Sequence, residues 1–252
     1  MTLPSSGEWV DFAGETSGAQ APVTETEERR VWDLPVRIFH WTLVVSVVAS
    51  YVTHKLGVGY FKYHLWCGYT VIVLVLFRIL WGVVGTRHAR FRNFLQGPVV
   101  MVRYLRNVLQ GQQQHYPGHN PLGALMVVAL LIALLVQALT GLFGNDEIVN
   151  SGPLYGLVTN DHSLWLTSLH RRLFYWISAA VVVHVLAVLV HYVAKKEKLI
   201  KAMWTGRKPA HSVPAAESIQ SSRIGLAALL IAVLVLGLAW IVNSVPVVPL
   251  SF

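Results

Sequence analysis

The sequence predicts an all-α integral membrane protein: a four-helix transmembrane bundle with one additional C-terminal transmembrane helix. Three observations lead there. The 252 residues are 54% hydrophobic and only 13% charged, with a mean hydropathy of +0.53, whereas soluble domains carry about 25% charged residues. The apolar residues gather into five runs, residues 38–56, 64–84, 122–143, 173–194 and 224–242, each close to the ~20 residues that cross ~30 Å of hydrocarbon as a helix. The basic residues behind the net charge of +8 flank these runs instead of forming the continuous basic face of a nucleic-acid binder. Membrane lipid is therefore the expected surrounding, and nucleic acid is not an expected partner.

In chain order, residues 1–30 hold Glu8, Asp11, Glu15, Glu25, Glu27 and Glu28 among Ser, Gly, Thr and Pro, which reads as a disordered acidic leader without a cleavable signal peptide. Residues 31–208 carry four of the spans, residues 209–223 with Pro209 and Pro214 read as a loose linker, and residues 224–252 form the fifth span and a tail. Orientation follows from the positive charges. Arg87, Arg90, Arg92, Arg103 and Arg106 lie between spans two and three, and Lys195, Lys196, Lys198, Lys201, Arg207 and Lys208 follow span four. Both segments are expected in the cytoplasm. Asp146, Glu147 and Asp161, between spans three and four, are expected outside, so the leader is cytoplasmic and the C-terminus external.

Histidine carries the chemistry. Of eleven, His88, His115, His119, His162 and His211 fall in loops and are expected in solvent. His40, His54, His64, His170, His184 and His191 fall inside or at the ends of spans, where ionisable groups are functional candidates. His170 and His184 are fourteen residues apart, which at ~100° and ~1.5 Å per residue puts them on one helix face about 21 Å apart. One helix thus offers ligands at two depths, the arrangement two stacked b-type haems need, whereas zinc would want three or four donors converging at one depth. Orientation then supplies the partners: His40 with His184 at the inner level, and His64 with His170 at the outer. His54 is also fourteen residues beyond His40 and makes an equally level partner for His170. Spacing leaves both open, and Gly68, one turn after His64 where a flat macrocycle can approach, favours His64. His191 is read as an end-of-helix residue and not a ligand.

The run Val31-Trp-Asp-Leu-Pro-Val-Arg-Ile-Phe-His40-Trp, the stretch His64-Leu-Trp-Cys-Gly-Tyr with Arg78, and His170, His184 and His191 ahead of a Lys-rich tail resemble the bacterial cytochrome b561 family, which includes the b-type cytochrome subunits of nickel–iron hydrogenases. The resemblance covers about residues 31–208. It implies a four-helix di-haem bundle in the bacterial inner membrane with ligands at His40, His64, His170 and His184, and so supports His64 over His54. It also implies a quinone at one terminus of electron transfer, and a hydrogenase or c-type cytochrome at the other.

Anionic haem propionates need cations near each face. Arg37 and Arg78 stand at the inner level, and Lys62, Arg171 and Arg172 at the outer, although basic residues at span ends also snorkel without a ligand. The tryptophans near the span ends read as the interfacial aromatic belt. The lone Cys67 excludes a disulfide framework or covalent haem attachment, and no P-loop, GxSxG or HExxH motif suggests hydrolysis or group transfer. The expected function is a membrane di-haem cytochrome b, with two haem b, carrying electrons between quinone and a redox partner protein. The alternative is a membrane anchor whose haems are structural. The acidic segment 145–169 offers a docking surface for a basic soluble donor, and a homo-oligomer stays open.

Overall fold

The computed structural model describes residues 27–112 and 116–246. Most of the expected leader, His115 and the end of the C-terminal tail lie outside the described residues. Five helices are long and apolar enough to cross a membrane, as expected. They are α1 (Leu34–Lys55), α2 (Phe61–Val84), α5 (Pro121–Leu142), α6 (Asn160–Ala194) and α8 (Ile224–Ser244). Between them lie the short helices α3 (Phe91–Phe94), α4 (Pro98–Leu109) and α7 (Leu199–Thr205), and a two-stranded ribbon of β1 (Glu28–Arg30) and β2 (Arg207–Pro209).

Local chemistry sets the boundaries. Asp33 caps α1 by accepting from the Val36 N–H at 2.7 Å, with Pro35 in the first turn. Asn120 caps α5 through the Gly123 N–H at 2.7 Å, followed at once by Pro121. Side-chain oxygens thereby take orphan N–H groups while proline, which has none to satisfy, supplies a helical φ. Thr159 caps α6, so this helix starts at Asn160 and not near residue 173. The apolar pattern marks only the part that meets lipid, and the capped turns before it are polar. At 35 residues α6 runs about 52 Å, well beyond the ~30 Å of hydrocarbon. His170 therefore sits within the helix and not at its start.

The inner helix is α2, which packs against α1, α5 and α8, while α5 packs on α6. Val71, Val75, Phe77 and Trp81 of α2 meet Phe39 of α1, Leu131 and Leu134 of α5, and Ala227 of α8 in one apolar cluster. The fifth span is thus seated on the bundle. Over residues 173–194 of α6 and 224–242 of α8 the exposed residues are apolar, as hydrocarbon requires.

The end of the bundle rich in Arg and Lys is built, not loose. The stretch expected to be a linker is instead packed, because it meets the segment before α1. Strands β1 and β2 pair antiparallel with Arg29 opposite Lys208, Arg29 donates to the Val213 carbonyl at 2.7 Å, and His88 Nε2 bonds the Glu217 carbonyl at 2.8 Å. Gly206, at φ 81°, lets this strap close, since a Cβ there would lie 2.6 Å from the Trp32 carbonyl oxygen. The expected inner loop also folds, with α4 presenting exposed Val99, Val102 and Leu109 beside Arg103 and Arg106, the amphipathic make-up of a helix lying in the interface.

Asp33 joins these pieces. It is 1% exposed, and besides capping α1 its Oδ2 accepts from Trp81 Nε1 at 3.1 Å and from Thr86 Oγ1. One carboxylate thereby ties the start of α1 to the end of α2. Asp33→Ala leaves the indole N–H and the hydroxyl without acceptors and removes a cap, at a cost of about 2–4 kcal/mol. Thermal unfolding in detergent should rank wild type above Asp33→Asn, which keeps an acceptor oxygen, and Asp33→Asn above Asp33→Ala; equal midpoints would remove Asp33 from this role.

Two loop histidines expected in solvent are withdrawn from it, His88 buried and His119 half-buried. His88 is 7% exposed, and the His119 ring packs with centroids 4.7 Å from both Trp32 and Phe94. Burial, reinforced by Arg78 and Lys208, pushes the His119 pKa down to about 3, and burial lowers that of His88. Because the folded value lies below the ordinary 6.5, the unfolded chain takes up a proton that the folded chain refuses. Stability therefore falls as pH drops from about 6.5 towards 3, by up to about 1.4 kcal/mol per pH unit for this group. His119→Phe should flatten that acid limb in denaturation midpoints measured from pH 7 to 5, and an unchanged slope would refute the linkage.

Candidate functional site

The four span histidines expected to act together are all half-buried, whereas His54, at the end of α1, is exposed. His64 of α2 and His170 of α6 face each other with ring centroids 6.2 Å apart at an interplanar angle of 76°. His64 Nδ1 lies 2.9 Å from the Ser50 carbonyl of α1, and His170 Nδ1 lies 2.7 Å from the Gln137 carbonyl of α5. A carbonyl only accepts, so each Nδ1 carries the proton and each Nε2 keeps a free lone pair, the tautomer a metal ligand needs.

The two tethers follow one plan. Thr53 Oγ1 donates back to the Ser50 carbonyl at 3.1 Å, and Thr140 Oγ1 to the Gln137 carbonyl at 2.9 Å. Each hydroxyl is shared with the preceding carbonyl, Ala49 at 2.7 Å and Val136 at 2.8 Å, so each tethering carbonyl accepts from both a threonine of its own helix and the imidazole of the next. The α1–α2 and α5–α6 hairpins thus each present one oriented imidazole by the same carbonyl, threonine and histidine arrangement. Gly141 completes the second, because a Cβ there would stand 3.0 Å from His170 Cε1.

At the other level, His40 of α1 and His184 of α6 are both half-buried. Three buried polar atoms without a hydrogen-bond partner among the described residues fall within one turn of α1: Arg37 Nε, His40 Nδ1 and Trp41 Nε1. Arg37 otherwise donates from Nη2 to the Trp204 carbonyl, and Trp204 packs edge-on against Trp41 with centroids 5.5 Å apart. Unmade buried hydrogen bonds cost about 1–3 kcal/mol each, so this turn of the protein is incomplete by itself.

Other candidates are positioned differently. Arg78 does not snorkel: it is 2% exposed, donates to the Ala89 carbonyl at 3.1 Å and lies over the Phe91 ring at 5.2 Å. Arg171 and Arg172 are exposed on α6, and Lys62 lies over the Tyr63 ring at 5.1 Å. The His54 ring is 6.0 Å from that of His64. His191 has both nitrogens engaged, with Glu197 at 3.0 Å and Asn120 at 3.5 Å. Sequence reasoning missed Ser50, Thr53, Gln137, Thr140 and Trp41. A polar Gln137 in the middle of an apolar span was the one available signal, although its backbone carbonyl and not its side chain makes the contact.

These residues fit haem. His64 and His170, facing each other with Nδ1 held by a carbonyl, are the residues that would hold a haem iron through their Nε2 atoms. The orphan donors Arg37 Nε and Trp41 Nε1 suit a carboxylate acceptor beside His40. Among the described residues no three His, Cys, Asp or Glu side chains gather as a single metal cluster.

Five apolar spans, with half-buried histidines on three of them, make this an all-α integral membrane protein. Residues 31–206 match prokaryotic cytochrome b561, and the chain belongs to that family of bacterial membrane b-type cytochromes, whose cofactor is haem b. It is 24% identical over 234 residues to the probable Ni/Fe-hydrogenase B-type cytochrome subunit of Cupriavidus necator, covering 78% of this chain and 93% of that protein. It is 27% identical over 234 residues to the protein of the same description from Rhizobium leguminosarum bv. viciae, covering 77% and 95%. To the probable Ni/Fe-hydrogenase 1 B-type cytochrome subunit of Escherichia coli K12 it is 23% identical over 209 residues, covering 70% and 88%. No solved structure matches the chain. The family match ends at Gly206, before α8.

Gly141→Ala should push the His170 ring off the Gln137 carbonyl. In protein labelled with nitrogen-15 at histidine, the apoprotein His170 signals should move from a single Nδ1–H tautomer towards a mixture while those of His64 stay put. Unchanged signals would mean that the glycine is not needed for the imidazole.

Proposed function

We propose that the chain is a di-haem cytochrome b that passes electrons between the quinone pool and a redox partner protein. His40 and His184 hold one haem b, and His64 and His170 the other. The observation that carries this reading is the pair of carbonyl-tethered imidazoles, His64 and His170, with centroids 6.2 Å apart and lone pairs free. Bound haem supplies reversible one-electron transfer. The protein's own work is orientation and electrostatics. Ser50 and Gln137 lock the ring tautomers, and a threonine shares each carbonyl. Arg37 Nε and Trp41 Nε1 donate to an inner-level propionate, Arg78 adds buried positive charge at that level, and Arg171 adds charge at the outer one. Ligation by two histidines would leave no position open for substrate at the metal.

His64 is preferred to His54 for two reasons. It is half-buried and tethered, whereas His54 is exposed, and a Cβ at Gly68, one turn on, would meet nothing within 4 Å, leaving room for a flat macrocycle. The Arg- and Lys-rich end is the cytoplasmic one by charge bias, with the N-terminus inside and the C-terminus in the periplasm. On the opposite side the N-terminal part of α6 meets the acidic loop. There Asp146 spends its carboxylate on the N–H groups of Ile148, Val149 and Asn150, which leaves exposed Glu147 and Asp161 to face a partner. A hydrogenase is the partner that the descriptions of the relatives support, and a c-type cytochrome is the other candidate.

Pyridine haemochrome analysis of the purified protein should give two haem b per chain. His64→Ala and His170→Ala should each reduce that to about one, and His54→Ala should leave two. Correctly inserted protein without haem would overturn the proposal, and loss in His54→Ala would reassign the outer pair.

A further inference from the structure

The Arg- and Lys-rich end holds a cavity used neither by the histidine pairs nor by helix packing. It lies where the turn after α2 meets the segment leading into α8, has a volume of 760 Å³, and is lined by Arg87, His88, Arg90, Arg92, Arg223 and Glu217 among others. Four arginines stand against one glutamate, and that glutamate is already paired with Arg87 at 3.2 Å. Arg90 and Arg223 each give one donor to a carbonyl, of Gly85 at 2.8 Å and of Val84 at 3.0 Å, which fixes the guanidinium groups while leaving other N–H groups free. Exposed Arg92 has neither hydrogen bond nor ion pair among the described residues. Rigidly held, uncompensated guanidinium groups are what a phosphate oxyanion requires.

A second feature adjoins the first. An apolar crevice of 160 Å³ opens between α1, α2 and α8, with Ile38, Phe39, Leu74, Phe77, Ile224 and Ala228 in its walls. Arg223 lines the cavity and Ile224, the next residue, lines the crevice, so a strongly basic compartment and an apolar one meet the chain at adjacent positions, at the start of a membrane span. Amphipathic α4 sits at the same end of the bundle, with exposed valines beside Arg103 and Arg106, which puts the cavity at headgroup depth.

We infer that the two compartments form a site for one anionic phospholipid. Its phosphodiester lies among Arg90, Arg92 and Arg223, and an acyl chain lies in the crevice against α8. A free phosphate would leave the crevice unfilled, and a zwitterionic lipid would bring its own cation into a cavity that already has an excess of positive charge. The occupant would touch α1, α2 and α8 together and clasp the fifth span to the bundle. The inference rests on the membrane setting alone and is independent of the haem assignments.

Native mass spectrometry of the full chain in neutral detergent tests it, with phosphatidylglycerol and phosphatidylcholine of identical acyl chains offered in turn and inorganic phosphate as competitor. One phosphatidylglycerol per chain should be retained, about tenfold more tightly than phosphatidylcholine, given that each basic residue near an anionic headgroup is worth about fivefold. Arg92→Gln should weaken retention about fivefold through charge, and Ala228→Trp should weaken it by filling the crevice, with the helical circular dichroism of both variants unchanged. Equal retention of the two lipids, or full phosphatidylglycerol binding in both variants, would overturn the proposal. Phosphate binding that Ala228→Trp leaves untouched, without lipid retention, would replace it with a site for a soluble anion.

Discussion

Hydrocarbon offers no hydrogen bonds, so each polar group inside a membrane bundle must find its partner within the protein. The tethers of His64 to the Ser50 carbonyl and of His170 to the Gln137 carbonyl are that constraint put to use. Each contact satisfies a buried imidazole donor, selects a tautomer and pins two neighbouring helices at a defined depth. Because α1 holds the ring from α2, and α5 holds the ring from α6, the packing of two hairpins and the geometry of the ring pair become one problem. Leu or Val in place of either threonine would keep the apolar pattern of the span and lose the hydroxyl that shares the carbonyl.

The level of His40 and His184 is arranged differently. Among the described residues its histidines lack matching tethers, and the turn of α1 that carries His40 keeps Arg37 Nε and Trp41 Nε1 unpaired. What holds that turn in place lies just before it, where buried Asp33 joins the first residues of α1 to Trp81 and Thr86. A strap from β2 through Val213 and Glu217 closes over the same end. A rigid frame around unsatisfied donors is the usual form of a preorganised anion site, since the polar groups are paid for by the fold and not by the ligand.

Family membership covers residues 31–206 and therefore the four-span core with all four ring-pair histidines. The fifth span lies outside that match, yet it seats Ala227 in the same apolar cluster as Phe77 and Trp81. Its seat is narrow, because most of its apolar side chains face outward. That combination explains why the basic cavity and the crevice at its start matter to the architecture: they are where α8 meets the bundle and where charge and apolar surface meet each other.

Much of this protein was legible in its residues. Five apolar runs, the bias of positive charge and the fourteen-residue interval between His170 and His184 depend only on composition and helical periodicity, which are local properties. The N-terminal extension of α6 was not legible from the apolar pattern, because hydrophobicity marks contact with lipid and a capped polar helix continues without it. The withdrawal of His88 and His119 from solvent and the packed state of residues 209–223 were not legible either, because each depends on a partner more than a hundred residues away or on the loop that covers it. By itself the sequence determined the class of protein, the spans and the histidines able to pair. Only the tertiary structure decided which carbonyls hold those histidines and that His54, in register with them, stands exposed, because register repeats along one helix while burial is set by the helices beside it.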